Sequence, residues 1–580
     1  MKTTDALGHF LRKNNIKQIF GLQGGAVVHI FDSLEKLKFD VTYTHHEVSA
    51  ALAAVANAKA NSNVGCVVVT TGPASTNAIT GLLAAWQDSV PCLFISGQAR
   101  SNHVSYKKKV RQVGTQEVNI CDIVKPITKY SKFVSDEKKF LFELEKAYQI
   151  AISDRPGPVW IDLALDVQWK NLIIKKNHIK KILPKNSNLK TNKKDINNFE
   201  NLCRNAKYPL IVFGYGARLS DPSLSIFKKF IKKNKIPFVL TWNSADFFST
   251  ENYYNLGIIG MSGQRGANKA VFKSDLLISI GNHLSIPQTT TLYKNYSPNS
   301  KKIIINIDKH QLKNLNVNFD LKIHSDAKTF LKKIINKKIF TSYWKNLKEL
   351  KEQNWYNIPK SKKINSNYFI REASKLMNNN SCIVVDGGGT ALYSGFQSSI
   401  IKNNQRLVCS SSISSMGTGL AESIGVYKTK KFKTVMCIIG DGSFLMNIQD
   451  LQTITSAKMN IKILLINNNG YLAIRHTQKE FLNNKFFGTN PKGGLVMPNF
   501  KKCKEFFGIN YQKFDNLKNL DLKLNRIFKI KGPVLCEVFT DENQTSLFKQ
   551  GYKKENNLFK PQPLSEMYPF TDEPISNTNN

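Results

Sequence analysis

The stretch from Thr434 to Gly470 constrains this chain more than any other. Thr434 to Ile439 is an apolar run suited to a strand buried on both faces of a parallel sheet. Gly440-Asp441-Gly442-Ser443 then stands at its carboxyl end, where α/β sheets open their binding crevice. The glycines let backbone approach a phosphate closely, and Asp441 offers a hard carboxylate oxygen. After an amphipathic stretch and a second apolar run, Ile461 to Ile466, Asn468 offers an amide oxygen before Gly470. Magnesium suits that set, because it takes few protein oxygens and shares the phosphates of its ligand. A lone Gly-Asp-Gly is usually only a turn; strand, glycines, helix, strand and asparagine in that order favour a metal-diphosphate cradle.

At 580 residues the chain exceeds one core. The net charge of +41 would ordinarily suggest nucleic acid or an anionic membrane as partner. Here the excess is lysine, scattered with Asn and Ile, and basic runs such as 107–109 and 428–433 carry no interleaved aromatics. Composition bias explains the charge, and neither nucleic acid nor a membrane is expected as partner. The first twenty residues read as an amphipathic helix and no apolar run reaches membrane-spanning length, so a cytoplasmic protein is expected. Nine scattered cysteines without a Cys-x-x-Cys pair fit buried thiols in a reducing compartment and no zinc site.

Helical patterns alternate with short apolar strands, which predicts an α/β chain of three doubly wound parallel sheets. The first block spans 1–170, with strands at Gln18 to Phe20, Val64 to Thr70, Pro91 to Ser96 and Pro158 to Leu163. A linker at 171–195 leads to a central block at 196–340, with strands at Leu210 to Phe213, Phe238 to Thr241, Leu276 to Ile280 and Lys302 to Ile307. Its Gly214-Tyr215-Gly216-Ala217 turn could hold a nucleotide but reads first as a plain strand-to-helix turn. A second linker, 341–365, leads to the cradle block at 366–545, and 546–580 form a C-terminal tail, draped on the surface or closing as a lid. The first and third blocks read as versions of one fold.

In the first block, His45-His46-Glu47 opens an alanine-rich helix and puts a carboxylate in its first turn, where the helix dipole tolerates it. Alone, Glu47 reads as a capping charge. Together with Gly21 to Ala26, Gly72 to Asn77, Arg155-Pro156-Gly157-Pro158, Asp386 to Thr390, Ser411 to Gly417 and Gly440 to Gly470, it resembles the thiamine-diphosphate-dependent enzymes, and the large catalytic subunit of acetolactate synthase in particular, over nearly the whole chain.

That resemblance implies pyrimidine-binding, central and diphosphate-binding domains, with thiamine diphosphate and Mg2+ as cofactors. It implies Glu47 against the cofactor's aminopyrimidine and Gln116 facing the substrate. Cofactor contacts fall on Gly25, Gly72 and Asn77 in the first block. In the third they fall on Gly388, Gly389, Thr390, Ser414, Met416, Gly440, Asp441, Gly442, Ser443, Asn468 and Gly470, with Met416 beneath the cofactor. Asp441, Asn468 and the backbone oxygen of Gly470 become the metal ligands. Because such sites join the pyrimidine half of one copy to the diphosphate half of another, a homodimer or homotetramer is implied. The resemblance leaves FAD open in the central block, around Gly260-Met261-Ser262-Gly263.

The implied reaction is decarboxylation of a 2-keto acid, pyruvate first, and ligation to an acceptor carbonyl. Four family side chains near the substrate are replaced: an aromatic by Thr115, a lysine by Leu165, an arginine by His283 and a tryptophan by Thr477. These replacements leave open a keto-sugar or aldehyde acceptor instead of a second keto acid. A lyase acting on an acyl-CoA or sulfonated substrate and a non-catalytic scaffold are the other readings.

Overall fold

In the computed structural model, residues 1–106, 108–172, 189, 191–354, 363–545, 547–556 and 558–570 are described. Three all-parallel sheets of six strands carry the chain. The first holds β1 (Gln18–Gly21), β2 (Asp40–Tyr43), β3 (Gly65–Val69), β4 (Cys92–Gln98), β5 (Tyr130–Val134) and β6 (Val159–Ala164), in the order β2-β1-β3-β4-β6-β5. The second holds β7 (Pro209–Phe213), β8 (Phe238–Leu240), β9 (Asn255–Ile258), β10 (Leu276–Ile280), β11 (Lys301–Asn306) and β12 (Leu321–His324), in the order β12-β11-β10-β7-β8-β9. The third holds β13 (Ser381–Val385), β14 (Arg406–Val408), β15 (Thr434–Gly440), β16 (Ile461–Asn467), β17 (Asn510–Phe514) and β18 (Val534–Phe539), in the order β14-β13-β15-β16-β18-β17.

The first and third sheets therefore share one winding, and the expectation that they are versions of one fold holds. In each, strand order reverses between the first and third strands, and such reversals are where doubly wound sheets bind ligands. In the second sheet the reversal falls between β7 and β10.

The inner strands are apolar because helices cover both faces. The alanine-rich helix Glu47–Asn61 has almost no polar face: Ala50 to Ala58 are buried along its length, between its own sheet and the helix Thr418–Tyr427 of the third body. Small side chains permit that approach, and a Cβ added at Gly425 would run into the Ala53 carbonyl.

Ion pairs lock the three bodies. Buried Lys59 donates to Asp88 at 2.6 Å in the first body, to Asn243 at 3.2 Å in the second and to the Cys409 carbonyl at 2.5 Å in the third. Arg406 on β14 reaches Asp246 at 2.5 Å and the Lys59 carbonyl at 3.0 Å. Such charges are retained only because each is paired; removing one partner typically costs about 3–5 kcal/mol.

The segment read as a second linker begins as part of the central body: the helix Leu347–Glu352 buries Leu347 and Leu350 in that core. Most of the first linker, together with 355–362 and 571–580, lies outside the described residues. The helix Lys193–Asn205 starts within the last residues assigned to that linker. The tail straps the second body to the third. Gln550 donates its N–H to the Met261 carbonyl at 2.7 Å, Gln397 donates to the Phe548 carbonyl at 2.7 Å, and Lys549 pairs with Glu480 at 2.9 Å.

Asp450 yields a stability prediction. It is wholly buried, among the described residues its oxygens accept no well-formed hydrogen bond, and the Ser49 hydroxyl stands near. Burial pushes its pKa up to about 7. A carboxyl whose folded pKa exceeds the unfolded value of about 3.9 leaves stability intact below that value and erodes it as pH rises toward 7. Asp450→Asn is therefore expected to melt a few degrees above the parent at pH 8 (about 2–4 °C per kcal/mol), the gap closing as pH falls toward about 5. A variant that melts lower at pH 8 would show the charge to be satisfied.

Candidate active site

Two half-sites lie at the order reversals of the first and third sheets. In the first, chain leaves β1 through Gly24 and Gly25 and leaves β3 through Thr70 to Gly72. A Cβ at Gly24 would stand 2.6 Å from the Thr70 side chain, whereas one at Gly25 would meet nothing within 4 Å. Gly25 thus faces open space. Gly72 has φ +66°, and a Cβ there would run into the Gln116 carbonyl oxygen, so only glycine serves.

Glu47 begins its helix behind His46, whose Nδ1 accepts the Val48 N–H at 3.2 Å. Glu47 is 8% exposed, and its Oε2 accepts from Asn77 Nδ2 at 3.0 Å. Gln116, itself at φ +55°, lies exposed beside Gly72. Glu47, Gly72, Asn77 and Gln116 therefore share one neighbourhood.

The second half-site forms where β13, β15 and β16 end. Gly440 caps the helix Asp441–Met446, leaving Asp441 1% exposed. One Asp441 oxygen accepts the Gly442 N–H at 2.8 Å; the other accepts those of Asn468 at 3.1 Å and Gly470 at 2.9 Å. Burial nevertheless pushes its pKa up to about 6, against those donors and the nearby Arg475. Asn468 donates to the Thr390 hydroxyl at 3.1 Å, which fixes its amide, and its Oδ1 is buried with no hydrogen-bond partner. A buried amide oxygen beside a desolvated carboxylate lacks the positive partner such groups require. Gly470 holds φ +123°, and its carbonyl accepts from the Leu472 N–H at 3.2 Å.

Met416 wedges between the two glycine turns. A Cβ at Gly388 would collide with its Cγ, and one at Gly442 would lie 3.3 Å from its Cε. Gly389, at φ +66°, opens to free space at the start of the helix Gly389–Ser398. Ser443 is buried against Asp386. Ser414 sits at φ +49°, its hydroxyl donating to the Ser411 carbonyl at 2.8 Å.

Two further residues organise this half. Asp386, fully buried, accepts the N–H groups of Gly388 at 3.0 Å and Gly419 at 2.9 Å, and burial pushes its pKa up to about 6. Arg475 donates to the carbonyls of Asn468 at 2.7 Å, Asn469 at 3.1 Å and Thr489 at 2.9 Å, tying down the 468–470 turn. Asp386 was legible as the end of an apolar run; no sequence signal marked Arg475.

Among the described residues, the hydrogen bonds of Glu47 stay in the first body and those of Asp441 in the third.

A cleft of about 1330 Å³ separates the first and second bodies. Tyr215, Gly216 and Gly281 line it at the reversal of the second sheet, with Arg155, Gln288 and His283. Gly216 and Gly281 pack against each other's backbone, and Gly260 and Gly263 are packed against backbone as well: Cβ atoms there would strike the Pro287 carbonyl and stand 2.5 Å from the Ile258 carbonyl. Of the four replaced side chains only His283 lines the cleft; Thr115 and Thr477 are exposed and Leu165 begins a short helix. Burial first, then Arg155, lowers the His283 pKa against the pull of Asp88.

Family profiles match all three bodies. Thiamine pyrophosphate enzyme, N-terminal TPP binding domain, covers residues 1–123; the central domain covers 196–334; the C-terminal TPP binding domain covers 387–538. The chain is 31% identical over 561 residues to the acetolactate synthase large subunit of Cyanidium caldarium, covering 93% of both chains. It is 31% identical to that of Buchnera aphidicola subsp. Schizaphis graminum (89% of this chain, 90% of the relative). It is 26% identical to acetolactate synthase isozyme 2 large subunit of Escherichia coli K12 (92% and 94%). With its fold, its two half-sites and these relatives in agreement, the chain belongs to the thiamine pyrophosphate enzymes, in the family of the acetolactate synthase large subunits.

Proposed function

We propose that this protein carries out thiamine-diphosphate-dependent decarboxylation of a 2-keto acid, pyruvate first, and ligates the fragment to an acceptor carbonyl, as an acetolactate synthase-like enzyme. The observation that carries the reading is the orphaned Asn468 oxygen beside buried Asp441, at the sheet reversal that the glycine turns leave open. When bound, thiamine diphosphate supplies the keto-acid cleavage and acyl transfer that protein side chains lack.

The residues present fit that group and a magnesium ion. Asp441, Asn468 Oδ1 and the Gly470 carbonyl would hold Mg2+, which takes hard oxygens and completes its shell with phosphates and water. The turns at Gly388 to Thr390 and Gly440 to Ser443, open at Gly389 and Gly440, would receive the diphosphate, with the N-termini of two helices behind them. Gly25, Gly72 and Asn77 would border the pyrimidine, and Ser414 and Met416 would support the cofactor from below.

Glu47 is held at one oxygen by Asn77, which leaves Oε1 to exchange a proton with the aminopyrimidine ring nitrogen. Gln116 would face the substrate. As the family resemblance implies, the pyrimidine half of one copy would meet the diphosphate half of another, in a homodimer or homotetramer.

The first test is CO2 release from pyruvate with thiamine diphosphate and Mg2+, and its loss when EDTA strips the metal. No release from pyruvate or any other 2-keto acid would overturn the reading.

The acceptor side is where this chain departs from its relatives. A lowered pKa leaves His283 neutral at neutral pH, so the one replaced position that lines the cleft offers no charge of its own to a second keto-acid carboxylate. At pH 8, a neutral aldehyde or ketone acceptor is expected to raise turnover severalfold, and His283→Arg to shift product toward acetolactate. Acetolactate formation that no neutral acceptor improves would refute this and return the chain to pyruvate self-condensation.

The cleft at the second reversal supports a second ligand. Dinucleotides bind doubly wound sheets at such reversals, and Gly216 and Gly281 supply close backbone there with Arg155 as a cation. FAD suits its size, entering at Gly216 and Gly281 and not at Gly260–Gly263.

A further inference from the structure

We propose that Asp162 is a positioning residue for Gln116, acting through Gln98 and Thr71. The inference rests on the reading that Gln116 faces the substrate.

Gln116 holds a left-handed backbone that glutamine seldom adopts, at φ +55°. Such conformations persist only where surrounding contacts over-determine them. Its carbonyl is pressed against Gly72 and lies 3.2 Å from the Thr71 hydroxyl. Thr71 has one hydroxyl proton for two acceptors, since Gln98 Oε1 also stands 2.9 Å away. The two acceptors share that proton, and the nearer one, Gln98 Oε1, sets the direction in which the Thr71 hydroxyl meets the Gln116 carbonyl.

Asp162 fixes that amide. Gln98 Nε2 donates to Asp162 at 2.9 Å and to the Val118 carbonyl at 2.8 Å, which obliges Oε1 to face Thr71 and the Ala99 N–H at 2.9 Å. Asp162 is in turn set by Ser96 Oγ at 2.6 Å and Tyr106 OH at 2.9 Å, and Ser96 accepts from the Trp160 indole at 2.8 Å. Asp162, Ser96 and Trp160 are fully buried, and Gln98 is 1% exposed. A buried polar network this complete is rigid.

The residue after Gln116 is clamped separately: Glu117 accepts the N–H groups of Ser105 at 2.9 Å and Val113 at 2.8 Å, holding both beside it. Gln116 is thus the exposed link between two buried anchors. One of them runs to Asp162, on β6, far from any exposed surface of the site.

The experiment compares Asp162→Asn, Thr71→Val, Thr71→Ser, Gln116→Ala and the Asp162→Asn/Gln116→Ala double variant of the full-length enzyme with thiamine diphosphate and Mg2+. Three readouts are taken: cofactor affinity by calorimetry, C2 proton exchange of the bound cofactor by NMR, and kcat and KM for the 2-keto acid. Asp162→Asn and Thr71→Val are each expected to lower kcat/KM about tenfold while cofactor affinity and C2 exchange stay at parent values, because neither residue touches Glu47. Thr71→Ser, which keeps the hydroxyl, should restore activity. The double variant should be no worse than Gln116→Ala alone, since coupled residues do not add. A double variant whose losses multiply, or Asp162→Asn and Thr71→Val at full kcat/KM beside an impaired Gln116→Ala, overturns the relay and leaves the substrate role of Gln116 standing. Full activity in Gln116→Ala removes that role itself. Should Asp162→Asn fail to fold, Thr71→Val against Thr71→Ser decides.

Discussion

Asp441→Ala is expected to abolish magnesium-dependent binding of thiamine diphosphate, with calorimetry reading a loss beyond about a hundredfold, the most that outer partners of a ligand usually cost. The size of the effect follows from two tasks performed by one side chain. Asp441 is the carboxylate proposed to meet the metal beside the free Asn468 oxygen, and it also binds the N–H groups of Asn468 and Gly470. Removing it takes away a ligand and loosens the turn that presents the other two. Asn468→Ala separates these contributions, because it deletes the unpartnered amide oxygen and leaves the Asp441 contacts with backbone intact. It should weaken magnesium-dependent binding less than Asp441→Ala does. Undiminished cofactor affinity in Asp441→Ala would remove the metal assignment from this cradle, whatever the activity of the variant.

The same cradle shows which physical signals a sequence carries well. A strand covered on both faces must be apolar throughout, so β3, β4, β7, β10, β15 and β16 stand out as runs, and the glycines and acids that follow them mark the binding edge without further help. Edge strands obey a weaker rule. β2, β5, β9, β12, β14 and β17 each close a sheet, and Asp40–Tyr43 or Tyr130–Val134 mix polar and apolar residues because one side meets solvent or a loop. No apolar run betrays them. β18 is inner, yet Glu537 interrupts it to serve Asn467 and Tyr511.

Site residues divide along a similar line. Glu47, Asp441 and Asn468 are recognisable because their chemistry and their place at strand or helix ends coincide. Arg475 escapes notice because it acts on backbone carbonyls brought together by the turn at Asn469, a property of conformation. The glycines of Gly260–Gly263 look suited to a ligand in sequence, but their missing side chains make room for the protein's own backbone, as do those of Gly216 and Gly281 at the sheet reversal that lines the cleft. A missing Cβ says that something comes close, and only the fold says what.

Glu47→Gln should leave cofactor affinity within a few-fold of the parent while slowing C2 proton exchange of bound thiamine diphosphate by about 10²–10⁴-fold, the range general acid–base groups contribute. The substitution keeps the length of the side chain and an oxygen to accept from Asn77, so the helix start and its His46 cap are undisturbed. Loss of the charge at the helix N-terminus costs about 0.3–1 kcal/mol, too little to unfold the body. The capacity to take and return a proton is lost, since an amide does neither near neutral pH. The contrast with Asp441→Ala is the useful feature: one variant binds and fails to exchange, the other fails to bind. Exchange at the parent rate in Glu47→Gln would show that another group activates the cofactor, and with Glu47 removed from that role the helix Glu47–Asn61 would be left with a packing function alone.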